Sequence, residues 1–390
     1  MRFLKILGGD FLHESRNERE LEVVRSLGFS ISIIGRKTEN NHLFSIPNCD
    51  TKWMTVNPLF PYIKSKALNR ATCLIPWAIQ ARKMKADVIS CHDITYLFVG
   101  WLSTIGMRKK PCLIYDSHEY EYERIDNRSK VLRWFIKHLE RFLMKKCVFS
   151  MMVNDVISDE VRKLHHLNER PIVVRNIPEN WKIDDKEVQK TRKKFIFENN
   201  LPDNIFICMY HGVLSVGRGI ELSMRTISRT NNTVLFILGN GDQSTVDEYK
   251  DLVKQYKIER RVFFHPAVKK DELYKYVGMA DVGLVLIEPL CKSYYYSLPN
   301  KLFENIQSLT PVIASDFPEI SKIVKKYDIG ICVNPLKEGQ VVTAIEKMQN
   351  DSTYLRKVRE NVQKAKLELN WENERGVLVE QYQKILQNYG

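Results

Sequence analysis

Tyr294-Tyr-Tyr-Ser-Leu-Pro-Asn300-Lys-Leu-Phe-Glu304-Asn-Ile-Gln-Ser-Leu-Thr310-Pro-Val-Ile-Ala-Ser315 is the stretch on which the fold turns. A polar, aromatic loop runs into a Pro-Asn helix start, with Lys301 and Glu304 in the first turns. A short apolar strand, 311–314, follows, and another, Val282 to Ile287, precedes. Strand, loop, helix and strand in that order form the repeating unit of a parallel α/β sheet, in which the helix starts at the carboxyl edge. Free N–H groups and the helix dipole favour an anion at that edge. Lys301 suits a phosphate there, and the Glu304 carboxylate suits the paired hydroxyls of a ribose. An ordinary surface helix with a Lys–Glu i,i+3 pair is the competing account of this segment taken alone.

The same alternation extends in both directions. Towards the C-terminus, the expected elements continue through 320–326 and 329–333 into about fifty helical residues. Towards the N-terminus lie strands at 262–264, 234–238 and 205–210, separated by amphipathic segments of helical period. Residues 179–203 are strongly charged and poor in core residues before Phe195, which places a domain boundary near Pro178. Before it, apolar runs at 2–7, 30–34, 52–56, 87–90, 112–115, 148–153 and 172–174 leave room for a helix between each pair. A chain of 390 residues is too long for one small core. The expected architecture is therefore α/β, with two Rossmann-like parallel-sheet domains facing each other across a cleft: residues 1–178 and 179–370, with the last helix, about 371–390, packing back on the first.

Composition narrows the function. The chain carries net charge +13, and residues 51–150 hold 18 Lys/Arg against 8 Asp/Glu. This basic region favours an anionic partner such as a membrane surface or a lipid-linked phosphate. No recognition helix, zinc finger or RNA-binding aromatic signature accompanies it, so nucleic acid is not expected. The eight cysteines are scattered without a C-x-x-C pair and read as reduced core thiols of a cytoplasmic protein. The segment 1–7 is too short for a secretory leader, and the longest uncharged apolar run, Ile94 to Met107, is too short to span a membrane. The helix expected over 129–146 is amphipathic and very basic. Its apolar residues Val131, Leu132, Phe135, Leu139, Phe142 and Leu143 are expected to face the sheet, a membrane-surface helix being the other reading.

Several constellations could carry chemistry. Gly212-Val-Leu-Ser-Val-Gly-Arg218-Gly219 follows a strand and opens a helix, so its backbone can approach phosphate and Arg218 can hold it bidentately. It is neither a dinucleotide fingerprint nor a Walker loop. Gly239-Asn-Gly-Asp242 ends the next strand, and Gly8-Gly9 ends the first strand of the chain. His118 and, more weakly, His92-Asp93 also follow strands. His13-Glu14 and His165-His166 lack metal-ligand spacing, and no metal site or nucleophile elbow is found.

In order, Gly-x-Leu-x-x-x-Arg-Gly-Ile (212–220), Phe-Ile-Leu-Gly-x-Gly (236–241), Ala-Asp-Val-Gly-Leu (280–284), Ser-Leu-Pro-Asn-Lys-Leu-Phe-Glu (297–304) and Thr-Pro-Val-Ile-Ala-Ser (310–315) resemble the donor domain of the retaining nucleotide-sugar glycosyltransferases of family 4, with the GT-B fold. The likeness covers roughly 205–335. Tyr-Asp-Ser-His-Glu (115–119) and Val-Val-Arg-Asn-Ile-Pro (173–178) resemble that family's acceptor domain and interdomain junction. The resemblance implies that Arg218 meets the donor diphosphate and Glu304 the ribose. It places Gly212, Gly239 and the Val268 loop at the nucleotide, Gly8 and Gly9 near the diphosphate and acceptor, and His118 near the transferred sugar. Tyr296, Ser297, Leu298 and Asn300 complete the expected donor-binding set. Two positions depart from the pattern: Tyr296 stands where the family has the first acid of a pair, and Val213 where it has an arginine. Lys301 is expected to supply the missing cation.

The implied activity is hexosyl transfer, with retention and without a metal or other cofactor, from a UDP- or GDP-sugar to a glycan or polyprenyl-diphosphate-linked acceptor in surface polysaccharide assembly. The expected location is cytoplasmic, peripheral on the inner membrane face. A nucleotide-sugar epimerase of the same fold and a non-catalytic nucleotide-sugar-binding protein stay open beside it.

Overall fold

The computed structural model describes residues 1–8, 15–37, 49–57, 59–60, 62, 66–123 and 129–389. Gly9, Asp10, His13 and Glu14 lie outside the described residues. The chain forms two compact units, Met1–Asn176 with Arg375–Gly390, and Ile177–Glu374.

The first unit is built on β1 (Arg2–Leu7), β2 (Ser30–Arg36), β3 (Cys49–Met54), β4 (Val88–His92), β5 (Cys112–Asp116), β6 (Cys147–Met152) and β7 (Ile172–Val173), paired in parallel in the order β3-β2-β1-β4-β5-β6-β7. β4 and β5 are buried end to end, as expected of strands covered by helices on both faces. The order reverses between β1 and β4, and at such a switch point the chain leaves a crevice beyond the strand ends. The uncharged run from Ile94 becomes a helix that packs on the sheet, Asp93–Ser103, and no helix among the described residues is long and apolar enough to cross a membrane. The helix Gly376–Tyr389 belongs to this unit because Tyr382 packs on Phe3, Phe29 and Phe149 and donates its hydroxyl to Glu20.

The basic helix, Lys130–Met144, departs from expectation. Of the apolar residues expected to face the sheet, Leu143 is buried, whereas Val131 is 77%, Phe135 56% and Phe142 43% exposed. The inward side is instead Glu140, Leu143 and Met144. Glu140 accepts a hydrogen bond of 2.8 Å from the Tyr115 hydroxyl and lies 3.0 Å from His165 Nε2, so a buried polar contact fastens the helix and leaves its apolar stripe outward.

The second unit carries β8 (Phe206–His211), β9 (Thr233–Leu238), β10 (Val262–His265), β11 (Val282–Val285), β12 (Val312–Ser315) and β13 (Gly330–Val333), parallel in the order β10-β9-β8-β11-β12-β13. Period-two alternation sorts β8 between two cores: Phe206, Cys208 and Tyr210 enter one, Ile207 and Met209 the other. The charged segment after Pro178 forms the helix Asp185–Glu198, which buries Val188, Phe195 and Ile196. Its other faces are solvated, so few apolar residues suffice. The helix Asn300–Gln307 packs closely on β11 because residue 283 is glycine: a Cβ there would lie 1.9 Å from Asn305 Oδ1. Phe303 and Ile306 fill a third core with Val285, Val312 and Ile320. The eight cysteines are free thiols.

Candidate functional site

The sheet of the second unit switches between β8 and β11, and the expected donor residues gather at the carboxyl ends of its strands. Gly212 follows β8 and Gly239 follows β9. Gly212 N donates to Leu238 O at 3.0 Å and Gly239 N to His265 O at 2.9 Å, carrying the ladder past the strands. At Gly239 a Cβ would stand 1.9 Å from Gly212 O, so the two loops can approach this closely only with glycine there. Leu214 N donates to Asn240 O, and Asn240 Oδ1 accepts from Ala267 N at 3.0 Å, which ties in the loop holding Val268. Gly219 caps the helix Ile220–Ser228 at φ +77°, where a Cβ would meet Leu286 O at 1.8 Å. Both the left-handed backbone and the space demand glycine.

Across the switch point, the helix Asn300–Gln307 begins at Pro299 with no side-chain cap, and Asn300 is exposed in its first turn. Lys301 turns inward and is 6% exposed. Its Nζ lies 4.2 Å from the centroid of the Tyr210 ring and has no hydrogen-bond partner among the described residues. Burial, with the Arg218 charge nearby, lowers its pKa to about 7, and Glu304 opposes the shift. Arg218 stacks its guanidinium 4.9 Å from the Tyr294 ring, and its buried Nε is likewise without a hydrogen-bond partner among the described residues. Two cationic side chains beside one helix N-terminus thus each hold an unsatisfied buried donor, an arrangement that an arriving anion completes.

Glu304 keeps its side chain a quarter exposed and lies, through Oε2, 2.9 Å from Nε2 of buried His211. That contact fixes the carboxylate and leaves acceptor capacity outward. His211 is a residue the motif reading missed; its signal was its place as the last residue of a buried strand, immediately before Gly212. Glu288, just beyond β11, is a second such residue. Burial raises its carboxyl pKa, and its N–H donates to Gly217 O at 3.0 Å.

The remaining expected donor residues differ in what they can offer. Ser297 spends its hydroxyl on Tyr294 O at 2.7 Å, and the Leu298 side chain points into the core, leaving their backbone to meet a ligand. Tyr296 ends a short helix, Lys292–Tyr295, with its ring 5.5 Å from that of Tyr295.

The first unit carries Gly8 and His118. Gly8 follows β1 beside Tyr96, where a Cβ would come within 1.9 Å of the phenol oxygen. His118 follows β5, its Nε2 3.2 Å from Asp116 Oδ2 and its ring 3.9 Å from that of His92. Burial holds its pKa below the usual value against the pull of Asp116. Burial would raise Asp116, but Arg16 at 2.8 Å and Lys5 at 3.1 Å hold it well below the carboxylate range. Among the described residues, His92, Asp116 and His118 form a set whose ligand atoms lie within 4.8 Å of one another. The carboxylate a divalent ion would need already serves two cations that would repel it, so the group fits a buried ion-pair network better than a metal.

Residues 191–365, most of the second unit, match the family model of glycosyl transferases group 1. The chain is 20% identical over 228 residues to an alpha-D-kanosaminyltransferase of Streptomyces kanamyceticus, a match spanning 58% of this chain and 57% of that protein. The fold is that of GT-B glycosyltransferase structures. It superposes on sucrose-phosphate synthase from Thermosynechococcus elongatus with a TM-score of 0.76 at 20% identity, covering 99% of this chain and 100% of the other. It superposes on Anabaena HepE, in complex with UDP, with a TM-score of 0.77 at 13% identity, over 98% and 100% of the two chains.

Proposed function

We propose that the chain transfers a hexose-type sugar from a nucleotide diphosphate sugar to a glycan or polyprenyl-diphosphate-linked acceptor, with retention at the anomeric carbon, in surface polysaccharide assembly. The observation that carries this is the pair of unsatisfied buried donors, Arg218 Nε and Lys301 Nζ, beside the first turn of the helix Asn300–Gln307. Departure of a nucleoside diphosphate builds negative charge on its phosphate oxygens. Arg218, Lys301 and the helix N–H groups supply the opposing charge, each well-placed donor contributing about 3 kcal/mol at the transition state. Because side chains provide this charge, the reaction needs no divalent metal. Glu304, held by His211, accepts from the ribose hydroxyls, and Gly212 and Gly239 let the nucleotide lie against backbone. His118 is the candidate on the acceptor-side unit, with its imidazole neutral at pH 7. UDP in the HepE complex supports a uridine donor, with GDP the alternative. The protein works in the cytoplasm, peripheral on the inner membrane face.

A thermal-shift panel of UDP-, GDP- and other nucleotide sugars, followed by product analysis with the stabilising donor, tests this reading. Stabilisation by one nucleotide class and slow release of its sugar with the α or β configuration kept, undiminished by EDTA, are expected. A panel with no stabilising nucleotide sinks the reading. Tyr296 in the place of an acid favours a second reading, a binding protein without turnover, which tight donor binding with no hydrolysis or transfer would single out. Interconversion of donor sugars without acceptor would single out an epimerase.

A further inference from the structure

We propose that the outward face of the helix Lys130–Met144 is a docking surface for an anionic lipid bilayer, on which the helix lies flat. This rests on the membrane-side part of the function above and is independent of the donor chemistry. Residues Val131, Phe135 and Phe142, four and seven positions apart, form one stripe, which exposure leaves uncovered. Lys130, Lys137 and Arg141, seven and four apart, form the next stripe about 100° round the helix. Trp134, 61% exposed, stands between the two. The stripe continues beyond the helix through Trp101, whose ring meets that of Phe142 edge-on at 5.3 Å.

A soluble helix of this amphipathicity turns its apolar side to the core. Here the core side is Glu140, Leu143 and Met144, so the exposed stripe is not explained by the packing of its own unit. An apolar stripe, a tryptophan at its margin and a flanking row of cations match the profile of a bilayer interface: acyl chains, headgroup boundary and anionic phosphates. Charge decides between this occupant and a second copy of the chain. The helix and the two lysines after it carry six cations, and its one acid, Glu140, is buried. Two copies paired through this face would bring like charges together, whereas an anionic surface neutralises them.

Flotation with vesicles tests the proposal on the full-length protein. Wild type is expected to float with phosphatidylcholine vesicles containing about a third phosphatidylglycerol, and about tenfold less with neutral vesicles or in 0.5 M salt. The Trp134→Ser/Phe135→Ser variant should lose about tenfold or more in partitioning. Lys130→Glu/Lys137→Glu should lose about fivefold per site on anionic vesicles only. Lys130, Trp134 and Phe135 are exposed, and Lys137 is half-buried with its Nζ 5.8 Å from the Tyr122 ring, so circular dichroism and melting should change little. Binding should shift tryptophan fluorescence to the blue, and Trp134→Phe should reduce that shift, with Trp101 beside Phe142 accounting for the remainder. The proposal is overturned by wild type that fails to float at low ionic strength, by flotation that Trp134→Ser/Phe135→Ser leaves intact, or by a patch-dependent dimer in light scattering that excludes lipid. Nucleotide binding measured on the same samples reads the donor site separately.

Discussion

Replacing Lys301 with methionine is expected to stabilise the second unit while removing its affinity for a nucleotide diphosphate. Methionine matches the length of the lysine stem and carries no charge. The lysine is buried, its ammonium lacks a hydrogen-bond acceptor among the described residues, and its pKa falls from 10.5 to about 7. A displacement of that size corresponds to about 4–5 kcal/mol of unfavourable burial for the charged form. The cation–π contact with Tyr210, which methionine gives up, offsets about 2 kcal/mol. The net gain is about 2–3 kcal/mol, and a unit of this size should melt several degrees higher. The sign of the pH dependence follows from linkage. Below pH 7 the lysine is charged in both states and the burial cost is at its full value. Between about pH 7 and 10.5 the unfolded chain binds the proton that the folded protein has released, so stability rises with pH and the methionine advantage shrinks. Thermal melts at pH 6 and 9, with calorimetric titration of UDP and GDP, read both effects. A variant that melts lower than wild type at pH 6, or that binds nucleotide unchanged, refutes the assignment of Lys301 as an unsatisfied cation awaiting a phosphate.

Glu304→Gln should weaken binding of the matching nucleoside diphosphate by about ten- to a hundredfold, because a charged hydrogen bond to a ribose hydroxyl is worth about 1.5–3 kcal/mol. The 2′,3′-dideoxy analogue should be insensitive to the change, and an equal loss for both ligands counts against a ribose contact. Donor affinity itself should be flat below pH 7 and decline above it, as the free Lys301 loses the proton that the bound diphosphate requires. A nucleotide sugar is the ligand to titrate, since its diphosphate diester does not ionise in this range. Gly219→Ala introduces a Cβ against Leu286 O at a left-handed φ and should cost about 3 kcal/mol or more, read as a lowered melting transition with nucleotide affinity lost alongside. Tyr382→Phe removes the hydroxyl that bonds Glu20 inside the first unit and should destabilise that unit by about 1–3 kcal/mol without changing nucleotide affinity, as judged by melting and titration together.

Much of the architecture was legible because parallel strands covered on both faces must be apolar throughout. Runs such as Phe206–His211 and Val282–Val285 announce themselves, and the helices between them follow from the spacing. The helix Asp185–Glu198 was hidden, since it needs only three buried residues and its charge resembles that of a linker. The donor motifs were legible as glycines and cations at strand ends, where sequence order alone fixes the carboxyl edge. Which side chains meet there was not, because that depends on neighbours brought in from another strand or helix. His211 reaches Glu304 across 93 positions, and Tyr210 lies under Lys301 across 91.

The same division explains the basic helix and the stretch from Tyr294 to Ser315. Period and composition determined that Lys130–Met144 is an amphipathic helix with a cationic row. Only the tertiary structure decided which way it faces, because one buried carboxylate, held by Tyr115 and lying against His165, outweighed the apolar stripe in orienting it. For Tyr294–Ser315 the sequence determined a helix start with a lysine and a glutamate beside it. Tertiary structure decided that the lysine turns inward onto an aromatic ring with its charge unmet while the glutamate is held outward by a histidine, since burial and pairing are properties of the assembled sheet edge and not of the segment.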